Sequence, residues 1–480
     1  MNRELKLCGL LLILTAVLIS GCDDSSRSGP SVNSKPLEGT RLTFSCSNSR
    51  LRSLLEPMVQ VWALRTGAIV ELRSEPMQPD DGGDGGVVGF EELGGWAARG
   101  DLLPLPAAFK EPGHALQWTT ILGVYRGDAY AGWGGQTYGL PLAADGHVLL
   151  YRADRFADPQ VKADFRTQTN RLLAAPTVWE DFTAVAAYFA KRDKHPSVAF
   201  SPSQAGDLFF RVAACYDRQV RRGNAPGQAD SLEFQFRLDD GQPRIDGVGF
   251  QEAAEWLANL KALGCFTDGK LDPMAALEKG DATLAVVSLA DLMKHPGKAD
   301  SRLGITPLPG SRSVLDPATG QLIFTPHNYV PYFSGGYLGV VRKGCKNSEA
   351  AFDLLAELGG PARSQELVAA GGFGPIRESQ LEADRLLVWL GYGFDERRSK
   401  DLQEALRAYV GKAVENPTFG LRTPDAPKLQ SQMAGELSAL LEGKPAAEAL
   451  GQAAESWKQA DAGVPRGTVL EWRRRAVGLN

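Results

Sequence analysis

The sequence predicts an α/β protein with more than one core, on three observations. The first is its opening. Arg41 to Cys46 alternates Leu42, Phe44 and Cys46 against Thr43 and Ser45, as a half-buried strand does. The polar loop Ser47-Asn48-Ser49 supplies helix-capping residues, and Leu51, Leu54, Leu55, Met58 and Trp62 follow at helical spacing. Pro57 either lies near the start of that helix or kinks it. Gly67 stops it and Ala68 to Arg73 forms a second strand, an order that suits a parallel sheet. The second observation is the stretch Tyr138 to Phe156. Gly139 to Leu142 is apolar, Ala143 to Gly146 turns at Asp145-Gly146, and Val148 to Tyr151 is a short buried strand. By pattern alone this stretch suits a crossover between domains and a hairpin within one equally. The third is Gly335 to Arg377. Tyr332 to Val341 reads as a strand approached through Gly335 and Gly336. A helix capped by Asn347 and ended by Gly359, a second helix and the loop Gly371 to Arg377 follow.

A chain of 480 residues holds two or three cores at roughly 100–200 residues per domain. The net charge of −5 argues against a nucleic-acid surface. The local exception, Arg473-Arg474-Arg475, reads as a solvated helix face. At the start, Arg3 and Lys6 flank an apolar run from Leu7 to Ile19, short of the ~20 residues that span a membrane. This is the pattern of a signal peptide, residues 1–21. It ends Leu18-Ile19-Ser20-Gly21-Cys22, which looks like a bacterial lipobox and implies diacylglycerol on Cys22. Residues 22–40, rich in Ser, Gly and Pro up to Lys35, read as a flexible tether.

Further along, the acidic, glycine-rich Asp80 to Gly86 lacks the third glycine of a dinucleotide loop and the register of an EF-hand, and reads as a mobile loop. Val87-Val88 is a short strand, and Glu91 to Arg99 a helix ending at Gly100. Trp133, within Gly132-Trp133-Gly134-Gly135, suits a rim aromatic and a folded-back anchor equally. Thr177-Val178-Trp179-Glu180 has the form of a capping box. Asp207 to Tyr216 and Phe250 to Leu263 are helices, and Thr283 to Val287 is a strand. Gly310 to Pro331 is loop-rich, and the remainder is helical.

No catalytic constellation emerges. The five histidines form no His-Glu-x-x-His, and no Gly-x-Ser-x-Gly elbow is present. No phosphate-binding Gly-x-x-x-x-Gly-Lys-Ser/Thr occurs, so the chain does not itself hydrolyse ATP. Adjacent carboxylates such as Glu91-Glu92 and Asp239-Asp240 mark surface sooner than a glycosidase pair, whose members face each other across ~5–9 Å. There is no Cys-x-x-Cys, and no metal or cofactor is expected.

Several segments together resemble the family 1 extracellular solute-binding proteins, the maltose-binding-like receptors of ABC importers. Tyr138 to Phe156 resembles that family's "yGlP……lYYNkdlF" and Val87 to Leu105 its "vv……l..la..G.L.pL". Pro176 to Phe182 resembles "P.TWdEl", which implies a core place for Trp179, and Leu277 to Val287 resembles the segment before a cleft loop, here Ser288 to Asp291. Gly335 to Arg377 is the most specific match, because four elements occur in order. Met433 to Asp461 resembles the family's closing helices. The resemblance implies a two-lobed periplasmic-binding-protein type II fold with hinge crossovers near Leu140–Leu150, Tyr332–Gly336 and Pro375–Gln380. Lobe 1 would comprise residues 41–147 and 335–377, and lobe 2 residues 148–334 and 378–480. It also implies a cleft lined by Ser47, Asn48, Glu91, Glu92 and Asp145 from lobe 1. Lobe 2 would add Ser203, Ser288 and Asp291, with Tyr332, Phe333 and Phe373 near the hinge. Carboxylates and amides bond vicinal hydroxyls, and aromatic faces stack on the C–H face of a sugar. His147, just past the turn, is expected to pack or titrate without a role.

The function implied is a non-enzymatic, monomeric, lipid-anchored receptor of the bacterial cell envelope. It would hand a small polar solute, a sugar or oligosaccharide, to the permease of an ABC transporter. A carbohydrate-active lipoprotein hydrolase and a sensor or scaffold on the same fold are the alternatives. The long Asp80–Gly86 loop and the expanded Gly310–Pro331 segment depart from the family and are expected to reshape the pocket. With Cys8 in the signal peptide and Cys22 lipidated, Cys46, Cys215, Cys265 and Cys345 remain. The implied topology places Cys46 and Cys345 too far apart to pair, with Cys46 a buried thiol near the cleft floor. Cys215–Cys265 is then the one bridge left open, worth up to ~4 kcal/mol; the alternative is four free thiols.

Overall fold

The computed structural model describes residues 35–144, 146–199, 205–218, 232–266, 272–294, 302–370, 373–382, 386–415 and 418–480. It is built on two separate sheets. The chain opens with β1 (Arg41–Cys46), helix α1 (Ser49–Thr66) and β2 (Ile69–Arg73). Asn48 caps α1, its Oδ1 accepting from the Leu51 amide at 2.8 Å, and Gly67 ends it at φ 85°. Pro57 lies inside the helix. Strand β3 (Gly85–Gly89) comes next. A short hairpin of β4 (Gly132–Trp133) and β5 (Gln136–Thr137) precedes β6 (Leu140–Ala143) and β7 (His147–Arg152). Beyond them come β8 (Val198–Ala199), β9 (Leu284–Ser288), β10 (Leu303–Thr306), β11 (Ser311–Asp316) and β12 (Gln321–Asn328). The last strands are β13 (Tyr332–Phe333), β14 (Tyr337–Val341) and β15 (Thr418–Phe419).

The first sheet has the order β2-β1-β3-β14-β6, with β1 parallel to β2 and β3, and β14 antiparallel to β3 and β6. The second has the order β10-β7-β9-β8. The chain therefore passes from one sheet to the other between β6 and β7. It returns through β13 to β14, with Gly336 at φ 100°. A Cβ there would strike the Tyr130 hydroxyl and come within 2.8 Å of the Ala143 carbonyl, so only glycine fits. The segment after α2 (Ser348–Gly359) returns to the same region, bridging Gly374 to Ala144 and Arg377 to Ile121.

Several local expectations need correcting. The Asp80–Gly86 stretch is tied down rather than mobile. Asp81 accepts from the Gln78 and Gly83 amides at 2.7 and 2.8 Å and pairs with Arg342 at 2.5 Å, while Asp84 accepts from the Thr43 amide. Gly85 and Gly86 serve packing: a Cβ on Gly85 would meet the Val340 carbonyl and the Phe44 ring, and one on Gly86 the Ser45 carbonyl. The Gly310–Pro331 stretch is an antiparallel hairpin, β11 on β12, not a loop. At Thr177 no capping box forms. Val178 is the N-cap of the Trp179–Asp193 helix, and Glu180 instead accepts from the Arg312 amide at 3.0 Å. Asn347 likewise occupies an N-cap position without a side-chain bond to the helix.

Trp179 lies in the core, and Trp133 is buried. Trp133 is the folded-back anchor, packed against Gly94, where no Cβ would fit. Arg473 is no solvated residue: it is buried and pairs with Asp425 and with Asp461 at 2.8 Å. All four described cysteines are free thiols, so the Cys215–Cys265 bridge does not form. The Cys215 sulfur sits 3.5–3.8 Å from the carbonyls of Arg211, Pro309 and Val330, and that of Cys265 lies 3.8 Å from the Leu263 carbonyl. Burial pushes both thiols up to about 11. Cys46 is fully buried, and burial holds its thiol at about 11.

Candidate functional site

The carboxyl ends of β1, β3 and β9 and the start of β7 converge between the two sheets, where open α/β folds bind ligands. A cavity of about 360 Å³ opens there. Glu91, in the turn after β3, supplies one wall. The first turns of helix α3 (Ala205–Asp217) supply Gly206, Asp207 and Phe210. Tyr332 and Ser334 come from the return strand, and Gln430, Met433 and Ser438 from helix α4 (Ala426–Leu441). The walls thus mix carboxylates, hydroxyls and an amide with aromatic faces. Phe210 and Tyr332 stack with centroids 5.7 Å apart and planes at 19°.

Asp207 organises the polar side. Its carboxylate receives Arg211 Nε at 2.7 Å and Nη2 at 3.2 Å, together with the Ser334 hydroxyl. His147 Nε2 lies 3.4 Å away. Desolvation opposes ionisation of Asp207, but Arg211, His147 and the Ser334 hydroxyl outweigh it and hold the carboxyl down at about 2. Arg211, 3% exposed in its side chain, also donates to the Tyr332 carbonyl at 2.5 Å and to Ser334 Oγ at 3.0 Å. One ion pair thus fixes the first turns of α3 to the strand that returns between the sheets. Burial pushes the Tyr332 hydroxyl above its ordinary value, so it stays protonated.

A second cluster adjoins the first. Its strand register pairs His147 with Ser288, whose hydroxyl donates to Asp291 at 2.9 Å and accepts from the Asp291 amide at 3.1 Å. Asn48 donates to the Tyr337 hydroxyl at 2.6 Å, and Phe373 meets the Tyr337 ring edge-on at 5.5 Å. Arg50, in the first turn of α1, joins the two sides: it donates to the Ala290 carbonyl at 2.8 Å.

Of the expected cleft residues, Glu91 and Tyr332 lie on the cavity wall. Asn48, Ser288, Asp291 and Phe373 gather in the adjoining cluster, bonded or packed to protein groups. Ser47 is exposed beside Asn48. Glu92 does not line the cavity; its carboxylate caps the Gly89 amide at 2.8 Å. Phe333 belongs to the core, packed on Tyr125, Tyr409 and Phe419. Asp145, Ser203 and Cys22 lie outside the described residues. The sequence reading missed His147, Asp207 and Arg211, and also Phe210, Gln430 and Ser438. An aspartate and an arginine spaced i, i+4 at a helix start were the available signal for the ion pair. No residue of 80–86 or 310–331 lines the cavity. Among the described residues, no cluster of three or more His, Cys, Asp or Glu is placed to hold a metal ion. No described helix is long and apolar enough to cross a membrane.

The model of one protein family, the bacterial extracellular solute-binding proteins, matches residues 90–386. No curated protein matches the chain significantly. Among solved structures, the fold is similar to the sugar-binding protein MalE from Xanthomonas citri, with a TM-score of 0.63 at 15% identity over 88% of this chain and 98% of that one. The GacH receptor of Streptomyces glaucescens, solved unliganded and with acarbose, gives a TM-score of 0.61 at 14% identity over the same shares. An ABC transporter solute-binding protein from Agrobacterium radiobacter K84, in complex with ribitol, gives 0.61 at 18% identity over 88% of this chain and 100% of that one. These structures share the two-lobed periplasmic-binding-protein fold.

Proposed function

The chain belongs to the bacterial extracellular solute-binding proteins, and from that premise we propose that it is a non-enzymatic, lipid-anchored receptor. It closes on a small neutral polyhydroxyl solute, a sugar or short oligosaccharide, and presents it to an ABC permease. Its lobes are residues 41–147 with 335–377 and 148–334 with 378–480. Closure buries the solute between them, and the closed shape is what a permease reads.

The observation that carries this reading is the 360 Å³ cavity between the two sheets. Its size suits a solute of one or two sugar rings, near the lower end of the ~300–1,000 Å³ of ligand pockets. Glu91, Asp207, Ser334, Gln430 and Ser438 offer acceptors and donors for vicinal hydroxyls, and the Phe210–Tyr332 stack offers an apolar face.

A thermal-shift screen of sugars, polyols, polyamines and anions tests it. A bound sugar at 100 times its Kd stabilises the fold by about 2.7 kcal/mol, a clear rise in Tm. No shift with any of these compounds at millimolar concentration overturns the receptor reading in favour of a sensor or scaffold, and turnover of a glycan overturns it in favour of a hydrolase. Anchoring is tested separately. Cys22→Ala is expected to move the protein from the membrane to the soluble fraction, and a variant that stays with the membrane contradicts the lipid anchor.

A further inference from the structure

Arg50 has no part in the cavity, yet it spans the space between the two halves of the molecule. It sits in the first turn of α1, directly after β1 of the first sheet. Its Nη1 donates at 2.8 Å to the carbonyl of Ala290, in the Leu289–Lys294 helix that follows β9 of the second sheet. The guanidinium lies 5.4 Å from the centroid of the Phe373 ring, on the segment that returns to the first half. Burial lowers the pKa of the Arg50 guanidinium, and the nearby charge of Asp291 offsets part of that. Three segments of chain therefore meet on one cation. The Ser288–Asp291 bonds brace the receiving turn, because the Ser288 hydroxyl both accepts from the Asp291 amide and donates to its carboxylate.

We propose that Arg50 is a cross-cleft clasp, a positioning residue that holds the two halves together before any solute is bound. A charge-assisted bond to a carbonyl is stronger than a neutral one, and a planar guanidinium can lie over an aromatic ring while it donates. A lysine ammonium can make the bond but has no planar face to set against the ring. Phe373 and Asp291, which the family resemblance placed against solute, serve as the seat of the clasp. The inference rests on the receptor reading for its purpose, since a clasp sets how readily the cleft opens to admit solute.

Its test needs no solute. Spin labels at the exposed Gln60 and Lys279 report the separation of the two halves in ligand-free, full-length protein. The background is Cys22→Ala with Cys345→Ser, because the other described cysteines are buried. Arg50→Ala is expected to lower the ratio of short-distance to long-distance populations about tenfold or more. Arg50→Lys is expected to fall between the two, and Asp291→Asn to shift the ratio in the same direction by less. These milder variants keep the test sharp if Arg50→Ala misfolds. Distance distributions for Arg50→Lys and Asp291→Asn that match the parent overturn the clasp. A chain that binds no sugar leaves this measurement untouched, so the clasp and the receptor reading fail independently.

Discussion

Asp207 is the residue whose state the surrounding charges decide. Its carboxyl is held at about 2, below the ~3.9 of an unfolded chain. A lowered pKa means that the folded state prefers the ionised form. The stability it contributes is full above about pH 4 and is lost as pH falls towards 2. Asp207→Asn removes that preference and takes the paired carboxylate from Arg211, which keeps its bonds to the Tyr332 carbonyl and Ser334. The side chain of Asp207 is 30% exposed, so solvent softens the loss. The expected cost is about 1–3 kcal/mol at pH 7, read as a lower urea midpoint. The difference from the parent should shrink below pH 4; a gap that stays constant down to pH 2.5 would show that charge is not its cause. Glu91 and Tyr332 could be placed because the family resemblance set one after the Val87-Val88 strand and the other near the hinge. Glu92 and Phe333 sat one position away and were taken up by a cap and by the core. Asp207 was read only as the start of a helix. Its partners, His147 and Ser334, are far along the chain, and no local pattern announces a contact across that separation.

The elements tell the same story at longer range. β1, α1, β6, β7 and β14 carry strong periodicity or turn chemistry and were readable as such. The β11–β12 hairpin was not, since its strands lack clean alternation: Leu322, Ile323 and Phe324 are consecutive, and Pro326 interrupts the run. What makes it a hairpin is its base. The Ser311 hydroxyl donates to the Cys215 carbonyl at 2.7 Å, and the Asn328 amide donates to the carbonyls of Cys215 and Arg218 at 2.5 and 2.7 Å. Those carbonyls belong to the C-terminal end of α3, where helical carbonyls lack intrahelical partners. Asp207 lies in the first turns of the same helix, so α3 joins the cavity to the hairpin as one rigid piece. Along β12 the hairpin is exposed, with Phe324 78% and Ile323 41% accessible. The free Cys215 follows from this packing: its sulfur points at the hairpin base, at Pro309 and Val330, rather than at Cys265.

On the scale of the whole molecule, the two halves are sewn together by chain that crosses between them more than once, and the C-terminus adds a further tie. Arg422 is buried and carries no carboxylate bond. Its guanidinium donates to the Ala476 carbonyl at 2.9 Å and to those of Tyr130 at 2.5 Å and Asp128 at 3.2 Å, with a further bond to Gly132. Three distant stretches thus share one cation: the β4 hairpin region, the loop before α4 and the Arg466–Ala476 helix. The Gly134 amide, donating to the Arg475 carbonyl at 3.1 Å, closes the same junction. The expected second-lobe segment 378–480 therefore reaches the expected first-lobe hairpin, a contact the family resemblance did not suggest, because a carbonyl-bound arginine has no sequence signature. Exchanging a buried ion pair for apolar groups can be neutral, but here the partners are backbone carbonyls that no substitution removes. Arg422→Met keeps roughly the volume and leaves those oxygens without their donor. Each buried oxygen left bare costs about 1–3 kcal/mol. The expected loss is at least about 3 kcal/mol, seen as a lower urea midpoint at unchanged m. Trp133, now buried against Gly94, should become open to fluorescence quenching by iodide as the junction loosens. A midpoint within about 0.5 kcal/mol of the parent would mean that the Arg466–Ala476 helix holds its place without Arg422.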